Sequence, residues 1–231
     1  MIVAIHQPNF FPWLGYFNKI AQCDLFVFLD DVKLPGGSSW INRVKIASGQ
    51  TSKWVTSEVD SSTRKNIYIN QVLFKDSHWK QSAWNNIRVS YRNAEFWKEA
   101  RELFEPLLLN SSLNIAEYNM AAIQIISEKL SFGSNKFVAA SDLGINALGT
   151  QRLVQLVKAV GGECYLSGDG AAGYQEDELF EKNSIKLLKT NFNHPTYRQI
   201  SNSFIEGLSV IDAVSNLGFR KTSNLLRTGL D

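Results

Sequence analysis

Cysteine, histidine and long apolar runs are scarce in this chain. Cys23 and Cys164 are the only cysteines among 231 residues, and there are three histidines. Two distant cysteines exclude a disulfide-rich scaffold, and with so few histidines they match no structural zinc spacing, so we expect no dedicated metal site. Neither a signal peptide nor a membrane-length segment is visible. We therefore expect a reduced, cytoplasmic protein with no membrane insertion.

Strong charge and several catalytic signatures are also lacking. The 24 basic and 22 acidic residues give a formal charge of +2 and are spread without runs. Nothing in these totals calls for nucleic acid or an anionic membrane as a partner. The sequence has no P-loop spacing and no G-x-G-x-x-G run. No serine or cysteine lies in a nucleophile-elbow pattern, which disfavours a covalent hydrolase.

Apolar and aromatic residues are plentiful by comparison. Hydrophobic residues make up 44% of the chain and aromatic residues 12%, which is enough to bury a sizeable core. We expect residues 1–231 to form a single α/β domain. The aromatic rings either fill that core or wall a ligand site, since aromatics commonly line pockets for organic ligands.

The first 31 residues predict a strand, a loop, a helix and a second strand. A short apolar run ends at Ile5, and apolar positions from 14 to 21 recur at helical spacing after Pro12, whose fixed φ suits the first position of a helix. The continuous run L-F-V-F-L at 25–29 is typical of a parallel strand covered on both faces. Such a βαβ unit predicts a largely parallel, Rossmann-like sheet that binds ligands at the carboxyl ends of its strands.

The rest of the chain predicts a hairpin, a helical layer and a return to the sheet. Residues 40–47 and 53–59 predict an antiparallel hairpin appendage, and 66–73 a further strand. Three helices, at 78–91, 95–108 and 113–131, predict a layer that covers the sheet. The later predicted elements are a helix from Thr150 to 160, strand 164–166, helix 175–183, strand 185–188 and helices 205–217 and 223–227. Asp212 lies inside an apolar helical pattern, so it must find a partner or stay on the solvent side, and pairing with Arg43 or a backbone group explains it at least as well as catalysis.

Several motifs together resemble the WbqC-like family. They are I-H-Q-P-N-F-F-P-W-L-G-Y-F at 5–17, D-L-F-V-F-L-D-D-V at 24–32, W-I-N-R at 40–43, Y-L-S-G at 165–168 with Tyr174, H-P-T-Y-R-Q at 194–199 and L-S-V-I-D-A-V-S-N-L-G at 208–218. The resemblance spans nearly the whole chain, although segment 33–39 is a poorer match. It implies a bacterial protein encoded among genes for O-antigen (lipopolysaccharide) or other surface polysaccharides.

The residues and this resemblance favour acyl or aminoacyl transfer to the amine of a nucleotide-linked amino sugar. Such a reaction needs a base for the amine proton, donors for the developing oxyanion and a cation for the sugar diphosphate. His6 and His194 are the candidate bases, because only histidine titrates near neutrality without help, and Asp31 can orient the amine. The acyl donor stays open between a thioester of coenzyme A or a carrier protein and a carboxylate activated by ATP and Mg²⁺.

Other residues of the motifs are candidates for binding the sugar nucleotide. Arg43 with Asn42 can bind a diphosphate or carboxylate, because the guanidinium fork pairs with two oxygens. Asp30 and Asp31 can ligate Mg²⁺ or hold the amine, and they serve equally well to cap a loop. The remaining candidates, which suit a sugar pocket, are Gln7, Asn9, Trp13, Tyr16, Trp40, Ser167, Gly168, Tyr174 and Tyr197.

Two other hypotheses stay open. The opening strand, the proline turn and W-L-G-Y at 13–16 are similar to nucleotidyltransferases and ATP-dependent ligases, although both histidines of their H-x-G-H tetrad are missing here. A non-catalytic sugar-nucleotide binder, working beside an aminotransferase or carrier protein, would use many of the same residues. In each case we expect one site where residues 6–16, 30–31, 40–43, 167–174 and 194–199 converge.

Overall fold

The computed structural model describes residues 1–36, 39–60, 67–133, 136–168 and 175–227. Tyr174, a predicted substrate-binding residue, lies outside them. The strands are β1 (Ile2–His6), β2 (Leu25–Phe28), β3 (Arg43–Ser48), β4 (Thr51–Thr56), β5 (Phe137–Ala139), β6 (Cys164–Ser167) and β7 (Lys186–Lys189). The helices are α1 (Leu14–Gln22), α2 (His78–Tyr91), α3 (Trp97–Leu108), α4 (Ile115–Lys129), α5 (Gly149–Ala159), α6 (Asp177–Lys182) and α7 (Val210–Arg227). No helix within the described ranges has the length and apolar character needed to cross a bilayer.

Five strands form one parallel sheet in the order β5-β2-β1-β6-β7. β1 lies in its centre, where Val3 pairs with Leu25 on one side and Tyr165 on the other. The chain first builds outward from β1 to β2 and β5, then crosses back to place β6 and β7 on the opposite side. The predicted Rossmann-like sheet is confirmed, and its strand order reverses between β1 and β6.

Alternate residues of the strands face two apolar layers. Val3 and Ile5 pack with Val157 of α5 and Phe180 of α6, and all four are buried. Ala4 belongs to the larger core on the other face, together with the phenylalanines of β2 and with apolar residues of α1 and α7. Burial on both faces explains why the strands at the centre of the sheet are continuously apolar.

β3 and β4 form the predicted antiparallel hairpin, with Arg43 opposite Thr56 and Ser48 opposite Thr51. The turn is shorter than predicted, because Gly49 adopts a φ of 60° and the chain reverses within two residues. At its other end, β3 begins at Arg43 rather than at residue 40.

The helical layer α2–α4 holds the loop that follows β1. α2 packs on the hairpin, and α3 packs on α7. The Asn119 side chain of α4 donates hydrogen bonds to the carbonyls of Pro8 and Ile41, at 2.9 and 2.8 Å. Phe10 and Phe11 insert beside Tyr118 and are almost fully buried. The loop after β1 is thus fixed by apolar packing and by one buried amide.

The predicted strand at 66–73 is wrong in the part that the structure describes. Ile69–Gln71 form a 3₁₀ turn. The N–H groups of Ile69 and Asn70 donate to the carbonyls of Val32 and Asp30, each at 2.9 Å. Because the loop after β2 accepts these bonds, the alternating apolar pattern reflects anchoring to that loop rather than strand pairing.

The first turn of α1 also differs from the prediction. Pro12 precedes the helix, and Trp13 caps it in an extended conformation with φ −77° and ψ 169°. The Trp13 indole lies over Gly15, where a Cβ atom would be 2.3 Å from the indole Cη2. The indole also packs against Phe192 and His194, with ring centroids 5.4 and 6.0 Å away. Gly15 is therefore needed for Trp13 to occupy this position.

The last helix starts later than predicted. The segment 190–208 contains no helix or strand, and α7 begins at Val210 rather than near residue 205. Gly218 has a φ of 75° and breaks the helix, and a Cβ there would lie 2.8 Å from Phe96. The two predicted C-terminal helices are thus joined at one glycine kink.

Asp212 of α7 is fully buried and anchors the segment 190–208. Its carboxylate accepts hydrogen bonds from Tyr197 Oη at 2.7 Å, Gln199 Nε2 at 2.9 Å and Asn216 Nδ2 at 3.3 Å. The expected partners were wrong: these three side chains bond to Asp212, whereas the Arg43 guanidinium lies over the Trp54 ring. Burial raises the pKa of Asp212 to about 6, although the donors partly offset this effect.

We expect Gly15→Ala to destabilise the fold. Alanine would gain about 1 kcal/mol of helix propensity, but its methyl group would displace the Trp13 indole from Phe192 and His194, and overpacking typically costs about 1–3 kcal/mol. Urea unfolding should show a net loss of up to about 2 kcal/mol. Gly36→Ala is the matched control, because a Cβ there has no atom within 4 Å. Equal stability of the two variants would show that the indole moves without penalty.

We expect Asp212→Asn to change how stability depends on pH. The pKa of Asp212 rises from 3.8 in the unfolded chain to about 6 in the fold, so the folded state binds more protons between these values. The contribution of Asp212 to the free energy of unfolding therefore falls as pH rises from about 4 to 6, by on the order of 2–3 kcal/mol. Urea unfolding at pH 4 and pH 7 should show that Asp212→Asn removes this decline, whereas Asp142→Asn, at an exposed position, should leave it. An unchanged decline in both variants would contradict this assignment.

Candidate functional site

The carboxyl ends of β1 and β6 lie side by side where the strand order reverses. β1 ends at His6 and is followed by Gln7, and β6 ends at Ser167 and is followed by Gly168. The parallel ladder between the two strands ends at the pair Ala4 and Leu166, two residues before His6 and one before Ser167. We call these four residues the switch crevice. Open α/β sheets bind ligands in such a crevice, and all four residues were predicted from the sequence.

Lys19 of α1 brings a buried cation to the switch crevice. Its Nζ donates to the Ile5 carbonyl at 2.9 Å and lies 5.9 Å from the Tyr165 ring centroid. A Cβ atom on Gly168 would lie 3.9 Å from the same Nζ. Lysine is rarely buried, yet Lys19 is only 4% exposed. Sequence reasoning missed it, because one lysine in an amphipathic helix is normally solvated; its place between the buried Phe17 and Ile20 was the only signal.

His6 is held as a neutral imidazole with one nitrogen assigned. Its Nδ1 lies 3.0 Å from the Gln7 carbonyl oxygen, so we assign the proton to Nδ1 and the lone pair to Nε2. The Tyr16 hydroxyl donates to the same carbonyl at 3.0 Å, and its ring contacts His6 edge-to-face at 4.8 Å. Burial, and then the charge of Lys19, lower the pKa of His6 to about 4. His6 is therefore uncharged at neutral pH.

His194 packs on the same turn of α1 from the segment 190–208. Its ring stacks on Trp13, and its Nε2 accepts a hydrogen bond from the Gly207 N–H at 3.1 Å. Burial lowers the pKa of His194. Since Nε2 is occupied by this bond, the proton of the neutral ring lies on Nδ1. Both predicted bases thus contact the start of α1. The backbone contact of His6 is at Nδ1 and leaves Nε2 as the basic atom, whereas that of His194 is at Nε2.

The two aspartates after β2 lie at another part of the sheet edge. Asp30 is 2% exposed and accepts hydrogen bonds from the Ser141 N–H and hydroxyl at 3.0 and 2.7 Å. Asp31 forms an ion pair with Arg152 of α5. Asp31 and Arg152 line a cleft of about 830 Å³ formed by residues of the segments 31–33, 68–71 and 141–149. We call it the Arg152 cleft. Asp30 therefore ties β2 to the segment after β5, and Asp31 borders a cavity.

The W-I-N-R motif borders a smaller cleft. Trp40 is 40% exposed and meets Trp54 edge-on at 5.1 Å, and the Arg43 guanidinium lies 3.9 Å from the Trp54 ring centroid. The Asn42 amide donates to the Ser57 carbonyl at 3.2 Å and ties β3 to the chain after β4. Trp13 and Trp40 line a cleft of about 370 Å³ with Lys45, Glu206 and Gly207, which we call the aromatic cleft.

The described contacts place the predicted site residues in three groups. Tyr16 joins the switch crevice, Trp13 and Trp40 border the aromatic cleft with His194 stacked on Trp13, and Asp31 borders the Arg152 cleft. Of the other candidates, Asn9 is 6% exposed, and the half-buried Tyr197 donates its hydroxyl to Asp212. The functional roles of all these residues stay predictions.

Comparison with known proteins gives the chain a family. No solved structure was found to match it. An uncharacterized protein of Mycobacterium tuberculosis, Rv1507c, is 27% identical over 218 residues, which cover 94% of each chain. Residues 7–224 match the WbqC-like protein family, and this range runs from the loop after β1 into the last helix. The resemblance of the motifs is therefore confirmed, and the chain belongs to the WbqC-like protein family.

Proposed function

We propose that this protein is an enzyme of surface-polysaccharide biosynthesis, such as that of the O-antigen, and that it transfers an acyl or aminoacyl group to the amine of a nucleotide-linked amino sugar. One observation carries this proposal. A neutral His6 and a buried Lys19 meet at the carboxyl end of the central strand, beside the point where the strand order reverses. The reaction needs a base that takes the proton of the attacking amine. It also needs a cation that holds the negative charge of the ligand to which this amine belongs.

The switch crevice suits the diphosphate of a sugar nucleotide. Lys19 supplies positive charge in a site of low exposure, where an ion pair is stronger than in water. Gly168 has no side chain, so residue 168 itself places no Cβ atom beside the Lys19 ammonium. Gln7 adds an amide, which is suited to the hydroxyls of a sugar, whereas the Ser167 hydroxyl donates to Gln175 Oε1 at 3.0 Å.

His6 Nε2 is the atom that takes the proton. The sugar nitrogen attacks the acyl carbon, a C–N bond forms, and the bond from that carbon to its leaving group breaks. Nε2 accepts the proton that the nitrogen loses and returns it to the leaving group. The Gln7 carbonyl fixes the tautomer by accepting from Nδ1. Tyr16 donates to the same carbonyl and thereby positions it.

The local electrostatics link binding to catalysis. A pKa of about 4 makes free His6 a weak base, because burial and Lys19 both oppose its protonation. A diphosphate beside Lys19 would offset that positive charge and raise the pKa of His6. The base would then become stronger when the substrate is bound.

The nucleotidyltransferase hypothesis receives less support from the geometry. The W-L-G-Y tetrad at 13–16 corresponds to the H-x-G-H tetrad of those enzymes. A nucleotide bound there would need open space beside Gly15 at the start of α1. Here the Trp13 indole fills the space over Gly15. The hypothesis of a non-catalytic binder predicts the same ligand but no role for the His6 base, so turnover of a His6 variant separates the two.

We expect Lys19→Met to weaken the binding of a UDP-linked amino sugar at least tenfold, because the variant loses the cation near the diphosphate. Isothermal titration calorimetry would measure the dissociation constant. Lys136→Met is the matched control: Lys136 is half-buried and donates to the Cys23 carbonyl at 3.0 Å, but it precedes β5 at the opposite edge of the sheet. Equal losses in both variants would refute a role for the switch crevice.

We expect His6→Gln to retain sugar-nucleotide binding and to lose transfer activity by about 10²–10⁴-fold. NMR titration of the wild-type imidazole should also show a pKa near 4 in the free protein that rises when the UDP-linked amino sugar binds. His78→Gln, at an exposed position on α2, controls for histidine replacement. Full activity of His6→Gln would remove His6 from the mechanism, and an unchanged pKa would place the diphosphate elsewhere.

A further inference from the structure

The Arg152 cleft is a second cavity at the edge of the sheet that the carboxyl ends of the strands form. Its volume of about 830 Å³ lies within the range of small-ligand sites. β2 separates it from β1: His6 pairs with Phe28, and the Leu29 N–H donates to the His6 carbonyl at 2.8 Å. Asp31 follows two residues later, and two residues span at most about 7 Å. The wall of the cleft therefore begins close to the backbone of His6.

Side chains of three kinds line this cleft. Leu148 and Ile145 are apolar, and Leu148 is 87% exposed. Asn70 and Asn146 supply amide groups, and Lys33 supplies an exposed ammonium group. The cleft thus offers apolar contact, amide hydrogen bonding and one exposed cation to a single ligand.

A structural ion pair fixes the shape of the cleft. Arg152 pairs with Asp31, and its Nη1 donates to the carbonyls of Ile145 and Ala147 at 2.7 and 3.2 Å. The guanidinium therefore holds the segment 145–147 against the end of β2. The two basic residues of the lining and its one acidic residue leave a net charge of +1. This charge matches a ligand with one phosphate group better than a triphosphate, which needs several cations.

We infer that the Arg152 cleft binds the acyl donor of the proposed reaction as a thioester on a phosphopantetheine arm. Such an arm carries one phosphate, two amides and a branched apolar segment, and these groups match Lys33, the asparagine amides and Leu148. The inference rests on the proposed function for its reaction. The amine nitrogen forms a bond to the thioester carbon, the C–S bond breaks, and His6 passes the nitrogen proton to the departing sulfur. The products are an amide and a free thiol.

The test uses two exposed residues of the cleft, because Arg152 is structural and its loss could unfold the site. The variants are Leu148→Glu and Lys33→Glu, and their controls are Val89→Glu and Lys98→Glu at exposed positions of α2 and α3. Calorimetry with 4′-phosphopantetheine, coenzyme A, ATP and a UDP-linked amino sugar gives dissociation constants for each protein. We expect both cleft variants to weaken 4′-phosphopantetheine and coenzyme A at least tenfold, while the controls and the sugar nucleotide are unaffected.

The outcomes separate this inference from the proposed function. If 4′-phosphopantetheine fails to bind, or binds equally to all variants, the cleft is not the donor site, even if the sugar nucleotide still binds. If only ATP binding responds to Leu148→Glu, the cleft is a nucleotide site and the inference is overturned. If 4′-phosphopantetheine binds but the sugar nucleotide does not, the assignment of the Arg152 cleft is supported and the proposed sugar substrate is refuted. Coenzyme A binding tenfold tighter than the arm would identify coenzyme A as the source, and equal affinities would favour a carrier protein; both results support the inference.

Discussion

The pairing of β1 with a parallel strand on each side is the constraint on which the rest of the structure depends. β2 and β6 take up its backbone groups, and apolar layers cover both of its faces. Residues inside β1 must therefore be small or apolar, as Val3, Ala4 and Ile5 are. A polar side chain is tolerated only at its end, and His6 occupies that position. The geometry that forms the core thus also delivers the histidine to the crevice.

The return from β1 into α1 depends on buried aromatic packing. Phe10 and Phe11 are each 1% exposed, and Phe11 adopts a φ of 39°, which is unusual for a residue with a side chain. Burying two phenylalanine rings stabilises the loop by several kcal/mol on the usual area scale, at about 1.5–3 kcal/mol each. That gain exceeds the roughly 1–3 kcal/mol of strain associated with such a conformation. The loop can therefore hold an unfavourable backbone shape and still position Trp13 and Tyr16 at the helix start.

The helices and strands that the sequence predicted correctly are those whose apolar residues recur with a clear period. The strands at the sheet centre and helices α2–α5 were found within a few residues, because burial on one or two faces imposes a clear period. The strand predicted at 66–73 was wrong, since the hydrogen bonds of Ile69 and Asn70 go to a loop that is distant in sequence. Lys19 and the partners of Asp212 were missed for a related reason: long-range contacts decide whether a charged residue is buried, and a single sequence does not contain them. The edge of the sheet that carries the candidate residues was predictable, whereas their division among three clefts was not.

The burial of Lys19 is the strongest argument that the switch crevice has more than a structural role. A helix that needed only to cover the sheet would carry an apolar residue there, because desolvating an ammonium costs several kcal/mol. The cation also depresses the basicity of His6, the residue beside it at the end of β1. An anion bound in the crevice would offset the charge of Lys19. In the proposed function, this offset returns basicity to His6 only while the anionic ligand is bound.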